Sequence, residues 1–165
     1  MNRDYFVELF DYNVWANQRV WDCVGQVSQE DFLRPNDFSI GSVYKQVLHW
    51  INLERWWIGF LAAGESKFMS KEEIELYQDR DKLRQLWDET NETTMDYVQA
   101  LTDEELQRKI KAPWWEGENA SITVAQALTH VINHGTDHRA QTLAVLHTLG
   151  YEGVEQDFIA YLGYV

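Results

Sequence analysis

The sequence has one cysteine, two prolines and few basic residues, and the cysteine count already limits the class of protein. A lone Cys23 cannot form an internal disulfide and is typical of a reducing compartment. Charged residues interrupt every apolar run well before about 18 residues, the length that a membrane-spanning helix needs. The N-terminus, Met-Asn-Arg-Asp-Tyr, is polar, so we expect no secretory leader. These features predict a soluble, cytoplasmic protein.

The shortage of positive charge bears on the partners. Lysine and arginine together number 14, against 27 aspartates and glutamates, which gives a net charge of −13. No basic cluster concentrates the few positive charges, whereas binding to a phosphate backbone or an anionic membrane requires cations that displace counterions. We therefore expect neither nucleic acid nor a membrane as a partner.

What the sequence does contain is helical periodicity. At 165 residues it has the size of one domain, residues 1–165, and no internal repeat is visible. Apolar residues recur at three and four over residues 3–25, which predicts a first helix. Asn13 and Asn17 lie four apart on that helix, so they share one face. They could serve a polar site at the centre of a bundle, or they could satisfy each other or the neighbouring backbone.

Two irregular connections separate the later helices. Residues 26–41 read as a loop, after which Ser39 or Ser42 can cap a second helix over about 42–63. A capping box at Ser70 opens a third helical stretch that keeps its spacing to about residue 100. The charged run Asp79-Arg-Asp-Lys in this stretch reads as a solvated surface.

A long irregular connection precedes the last helix. Residues 109–121, which include Pro113, read as irregular chain or a short hairpin. A capping box formed by Thr123 and Gln126 then opens a fourth helix, which stops at Gly150.

Three of the five histidines lie at a spacing of four in this fourth helix, at His130, His134 and His138. Residues four apart on a helix differ by about 40° in direction and about 6 Å in rise, so either neighbouring pair can hold one metal ion. His130 and His138 are about 12 Å apart along the axis, so His134 must belong to any site and one neighbour joins it. A catalytic zinc-type site usually takes three protein ligands, so the third must come from elsewhere.

Each histidine could instead have a purely structural role. A single imidazole on an apolar helix face is usually a hydrogen-bonded core residue, and this interpretation suits His130. Two buried imidazoles at spacing four cost desolvation unless something satisfies them, which favours a metal for His134 and His138. The pattern is not the zinc-protease motif H-E-x-x-H, because Gly135 stands where that motif has its catalytic glutamate. His147 points to nearly the opposite side from His138 and is expected on the surface.

His49 is the obvious third ligand, because it lies in the second helix and is the only histidine outside the C-terminal helical region. Glu54 is rotated from it by about 140° and suits a structural or interhelical ion pair better than a place on the same ion. Asp137 and Gln141 share the stripe of His134. Asp137 could orient a ligand imidazole through the second nitrogen of that ring, or it could pair with Gln141 or be an exposed charge.

Several separated runs resemble the DinB-like, or damage-inducible, metalloprotein superfamily, which includes YfiT-like proteins and thiol-dependent S-transferases. The first helix carries Asp-Tyr-Asn-Val-Trp-Ala-Asn at 11–17, and the second carries Leu48-His49 through Glu54-Arg55. The fourth carries His-Val-Ile-Asn-His-Gly-Thr-Asp-His-Arg-Ala-Gln at 130–141, with Ala140 in place of an expected glycine. Asp-Phe-Ile-Ala-Tyr-Leu at 157–162 is similar to the ending of the family, so the resemblance covers the whole chain.

The resemblance implies an all-α four-helix bundle with up-down-down-up topology. It also implies one divalent metal ion, usually zinc, nickel or iron, held by His49, His134 and His138. In that setting Asn13, Asn17, Asp137 and Gln141 could support the ligands by hydrogen bonds. Homodimers are common in the family.

For function, the resemblance favours a metal-dependent thiol S-transferase that joins a low-molecular-weight thiol to a small electrophile. A metal-dependent hydrolase is the alternative within enzymes. A non-catalytic metal-binding or ligand-binding bundle is the alternative outside them. Cys23 is not the expected nucleophile, because nothing beside it in the sequence would lower the pKa of its thiol.

Overall fold

The computed structural model describes residues 2–112, 114–117 and 120–164, and it confirms the all-α class. Among these residues no helix is long and apolar enough to cross a membrane. The helices are α1 (Arg3–Gly25), α2 (Gln29–Leu33), α3 (Val43–Ala63), α4 (Lys71–Leu76), α5 (Arg80–Ala100), α6 (Val124–Thr148) and α7 (Phe158–Tyr161).

The ends of α3 and α6 follow from local side-chain chemistry. Ser42 caps α3, because its side chain accepts a hydrogen bond from the backbone N–H of Lys45. Thr123 and Gln126 form the reciprocal capping box expected at the start of α6. Gly150 ends α6 with a φ of +87°, a left-handed conformation that glycine adopts without steric cost.

The structure differs from the prediction in two places, the expected loop and the expected third helix. The segment 26–41 contains the short helix α2, which Ser28 caps. The stretch from Ser70 to about residue 100 is two helices, because α4 ends at Leu76 and α5 begins only at Arg80. The break arises at Asp79, whose carboxylate accepts from the backbone N–H groups of the next helix and so starts a new helix.

Arg80 is the exception to the solvated surface predicted for residues 79–82. Its side chain is half-buried, and its guanidinium donates to the carbonyl oxygens of Val24, at 3.1 Å, and Val27. It also lies 5.6 Å from the centre of the Phe32 ring. Arg80 therefore ties the start of α5 to the end of α1.

The two ends of the connection before α6 pair with each other as a short antiparallel hairpin. Strands β1 (Lys109–Ile110) and β2 (Ile122–Thr123) pair antiparallel, with Lys109 opposite Thr123. This confirms the hairpin alternative for the segment. Pro113, which the sequence also placed in it, lies outside the described residues.

The four long helices enclose two apolar clusters, one at each end of the bundle. α3 and α1 each pack against both α5 and α6. One cluster contains the N-terminal parts of α1 and α6 and the C-terminal parts of α3 and α5; it includes Phe6, Phe10, Trp57, Leu61, Val98 and Leu128. The other contains the opposite parts; it includes Val20, Trp21, Val47, Leu83, Trp87 and Leu146. α1 and α6 therefore run in one direction, and α3 and α5 run in the other.

Buried polar side chains occupy the level between the two clusters, and we call Asn13, Asn17, Glu54, Thr94 and Arg139 the polar belt. Arg139 is fully buried, and its Nη1 donates to Asn13 Oδ1 at 2.5 Å and to Asn17 Oδ1 at 2.8 Å. Asn13 in turn donates to Glu54 Oε2 at 3.4 Å, and Thr94 donates to Glu54 Oε1 at 2.9 Å. The belt thus joins α1, α3, α5 and α6 through their interior.

Burial disfavours both charges of the belt. It lowers the pKa of Arg139 and raises the pKa of Glu54, while the hydrogen bonds from Thr94 and Asn13 and the charge of Arg139 act in the opposite direction on Glu54. Gly135 makes room for this arrangement. A methyl group added there would lie 3.2 Å from both Arg139 Nη1 and Asn13 Oδ1.

We predict that Arg139→Met strongly destabilises the protein. The substitution leaves the buried Asn13 and Asn17 oxygens without their donor and removes the positive charge that acts on Glu54. Removing one partner of a buried charged network typically costs about 3–5 kcal/mol. Urea unfolding measures the loss.

Arg34→Met is the matched control. Arg34 is half exposed and pairs with Glu30 and Asp31 at the surface, so we expect a loss below about 1 kcal/mol. Similar losses in the two variants would contradict the central position that we give to Arg139.

Candidate metal centre

The side-by-side packing of α3 and α6 brings three histidines together. His49 comes from α3, and His134 and His138 come from successive turns of α6. One ring nitrogen of each lies within 4.8 Å of the others, and the Nε2 atoms of His49 and His134 are 3.1 Å apart. Within the described residues these three form the group that could hold a metal ion.

The donor set fits a divalent ion. Metal–nitrogen distances of about 2.0–2.1 Å place two donors of a tetrahedral ion about 3.3 Å apart. The 3.1 Å separation of the His49 and His134 nitrogens is close to that value. Imidazole suits zinc, nickel and iron alike, so the donors do not select among them.

Burial keeps the three imidazoles in the neutral form that binds metal. Desolvation, and then repulsion from the charges that His138 and His49 would carry, lowers the pKa of His134 to about 3. Burial also lowers the pKa of His49, and burial followed by the influence of His49 lowers that of His138. Proton competition with a metal is therefore weak near neutral pH.

Gln46, which lies about one turn before His49 on α3, orients His138 of α6. Its Oε1 lies 2.8 Å from His138 Nδ1, and its Nε2 donates to Gln141 Oε1 at 3.3 Å. With that orientation of the amide, Nδ1 of His138 carries the proton, and Nε2 is left with its lone pair for an ion. Gln46 is fully buried, so this contact is shielded from water.

Gln141 and Asp137 belong to the same chain of hydrogen bonds. Gln141 Nε2 donates to Asp137 Oδ2 at 2.9 Å, and Gln141 Oε1 also accepts from the hydroxyl of Ser39. Of the roles considered for Asp137, the structure shows the pairing with Gln141, and the side chain is also exposed. Gln141 supports His138 indirectly, through Gln46.

The other candidate residues do not belong to the three-histidine group. Asn13 and Asn17 accept from Arg139 in the polar belt, so their polar groups are used away from the centre. Glu54 has the expected interhelical role, which it performs through Asn13 and Thr94. The ring of His130 lies 5.8 Å from that of His134, and His130 is not part of the three-histidine group.

Sequence reasoning missed Gln46 and Arg139. Gln46 lies three residues before His49, on a neighbouring helix position, and that spacing is the signal that could have identified it. Arg139 occupies a fully buried stripe of α6 with Ile132, Gly135 and Thr142, spaced by three and four. A charged residue in such a stripe indicates a buried partner.

Comparison with known proteins agrees with the motifs. A model of the DinB family matches residues 1–163. Among curated proteins, Protein DinB of Bacillus subtilis (strain 168) is similar, with 25% identity over 166 residues, which cover 96% of this chain and 94% of that protein.

We predict that His49→Ala, His134→Ala and His138→Ala each abolish stoichiometric metal binding, because two imidazoles hold an ion much less well than three. His130→Ala should retain most of the metal, and the exposed His147→Ala should retain all of it. Elemental analysis of the purified variants measures the content. Equal loss in the His130 variant would show that the pair on α6 is wrongly chosen.

We also predict that Gln46→Leu weakens metal binding by about 10- to 100-fold, the usual effect of losing the hydrogen-bond partner of a ligand histidine. Competition with a chelator of known affinity measures the change. Gln85→Leu is a matched control, because Gln85 is exposed and pairs with Glu89 on the surface of α5. An unchanged affinity in Gln46→Leu would mean that His138 needs no orienting partner.

Proposed function

The chain belongs to the DinB family, and from that premise we propose that it is a metal-dependent S-transferase, which joins a low-molecular-weight thiol to a small electrophile. Its metal would be held by His49, His134 and His138. The observation that carries the proposal is that all three residues of the group are neutral imidazoles, and that two of them are only half-buried.

The donor set determines which chemistry is available. An ion with three neutral ligands keeps its full charge and favours the deprotonated form of a thiol or water molecule bound to it. His49 and His134 can be reached from solvent, so an external thiol has access. The protein itself holds His138 in the correct tautomer through Gln46.

Thiol transfer requires less of the protein than hydrolysis does. The sulfur supplies the electron pair of the new carbon–sulfur bond, the thiol proton passes to solvent, and the leaving group departs with the electron pair of the bond that breaks. Metal-dependent hydrolysis by the zinc-protease pattern needs a glutamate as general base beside the ligands. Gly135 occupies that helix position here, which supports thiol transfer over hydrolysis of the zinc-protease type.

The chain's own thiol is a poor nucleophile, and this supports an external one. Burial, followed by the charge of Asp22, raises the pKa of Cys23, whereas reactive cysteines have a lowered pKa. Cys23 also packs against the apolar cluster formed by the C-terminal part of α1 and the N-terminal part of α3. The same proposal includes a homodimer, which the family resemblance implies, and a cytoplasmic location, which the single cysteine favours.

We predict that the cobalt-substituted protein binds small thiols. Titration with 2-mercaptoethanol should produce a sulfur-to-metal charge-transfer band at wavelengths longer than the indole absorption. The reason is that an ion with three protein ligands can exchange its remaining ligand. Absorption spectroscopy measures the band.

His134→Ala should show no band, and the surface variant His147→Ala should show the full band. If the native cobalt protein gives no band, and no thiol reacts with any of a panel of electrophiles, the transferase proposal is wrong. A non-catalytic metal-binding bundle would then be favoured, once an assay for hydrolysis had also failed.

A further inference from the structure

Two antiparallel rows of side chains extend from the metal centre along α3 and α6. On α3 the row is His49, Leu53 and Trp57; on α6 it continues from His134 to His130. Each step is four residues, so each row stays on one helix face. Because the helices run in opposite directions, Trp57 meets His130 one turn beyond the three ligands, and their ring centres are 5.5 Å apart.

His130 is exposed and lies next to the centre without being one of its ligands. Its ring centre is 5.8 Å from that of His134, at an angle of 48°, and its contact with Trp57 is edge-to-face at 67°. A group bound beside His134 would therefore meet the His130 ring.

Trp57 packs against His130 from the buried side of the bundle. Only 7% of Trp57 is exposed, and its indole packs against Trp56 at 5.2 Å and Trp115 at 6.2 Å. Leu53 is half-buried and packs against the same apolar cluster. We call Leu53, Trp57, Trp115 and His130 the aromatic wall. Its members sit mainly on two helices, so the surface is preformed.

The opposite side of the centre is polar. There Gln46, Gln141, Asp137 and Ser39 form a continuous chain of hydrogen bonds. The aromatic wall contains no carboxylate and no lysine or arginine. The two sides of the centre therefore favour chemically different parts of a bound molecule.

We propose that the aromatic wall is the specificity-determining surface of the centre and that it binds the planar aromatic part of a substrate. This inference rests on the proposed function, because it assumes that a thiol or its electrophile occupies the centre. Aromatic rings prefer offset or edge-to-face contacts with other rings, which saturated rings of the same size cannot make. His130 is exposed, so its ring is accessible for such a contact.

The test compares two thiols with the same carbon skeleton, one aromatic and one saturated, phenylmethanethiol and cyclohexylmethanethiol, by titration of the cobalt-substituted protein. In both, the sulfur is attached to a CH2 group. We expect phenylmethanethiol to bind about 2- to 10-fold tighter, the factor that corresponds to one aromatic pair. In His130→Ala the preference should fall by about the same factor while the charge-transfer band remains, because the intrinsic difference between the two thiols is the same in both proteins.

Two further variants separate the possible outcomes. Trp115→Leu should reduce the preference in part, and His147→Ala, an exposed histidine on the same helix, should leave it intact. A band with 2-mercaptoethanol but equal affinities for the two ring thiols would overturn the aromatic wall and leave the proposed function standing. Survival of the preference in His130→Ala would likewise overturn the aromatic wall alone. A native protein that binds no thiol at all would overturn both.

Discussion

Arg139 carries a charge that water cannot reach, and the arrangement of the four long helices depends on how that charge is satisfied. Its donors reach two asparagines on α1, one of which continues to Glu54 on α3 and from there to Thr94 on α5. A rotation or slide of any of these helices would leave a buried polar group without a partner, at a cost of about 1–3 kcal/mol for each group. Apolar clusters alone tolerate such slides far better, because hydrophobic contact has no direction.

The hydrogen bonds of Arg139 also fix the geometry of the metal centre. His138 and Arg139 are neighbours in α6, and His49 and Glu54 lie five residues apart in α3, so the same two helices carry both the centre and the belt. Gln46 adds a second link between them at the level of His138. The imidazoles consequently converge on scaffold elements whose positions are already fixed, which is the condition for a preorganised site.

Residues whose role depends on local spacing were predictable from the sequence, and residues whose role depends on helix register were not. The capping box at Thr123 and the convergence of His134 and His138 follow from positions three or four apart on one helix. The hydrogen-bond partners of Asn13 were not predictable, because a polar residue on a buried face can pair with any polar group of the interior. Only the register between helices assigns it to Arg139 and Glu54. The break at Asp79 was missed for a different reason: α4 and α5 each keep helical spacing, and the capping carboxylate reads as one more surface charge.

Gly135 limits the chemistry that this helix can acquire by mutation. A single substitution to glutamate would complete the H-E-x-x-H pattern, because His134 and His138 already stand at its two histidine positions. Yet any side chain at this position meets Arg139 and Asn13 at once. Interior packing therefore opposes this step towards the zinc-protease pattern, because Arg139 and Asn13 would have to shift, although only one residue separates the two patterns.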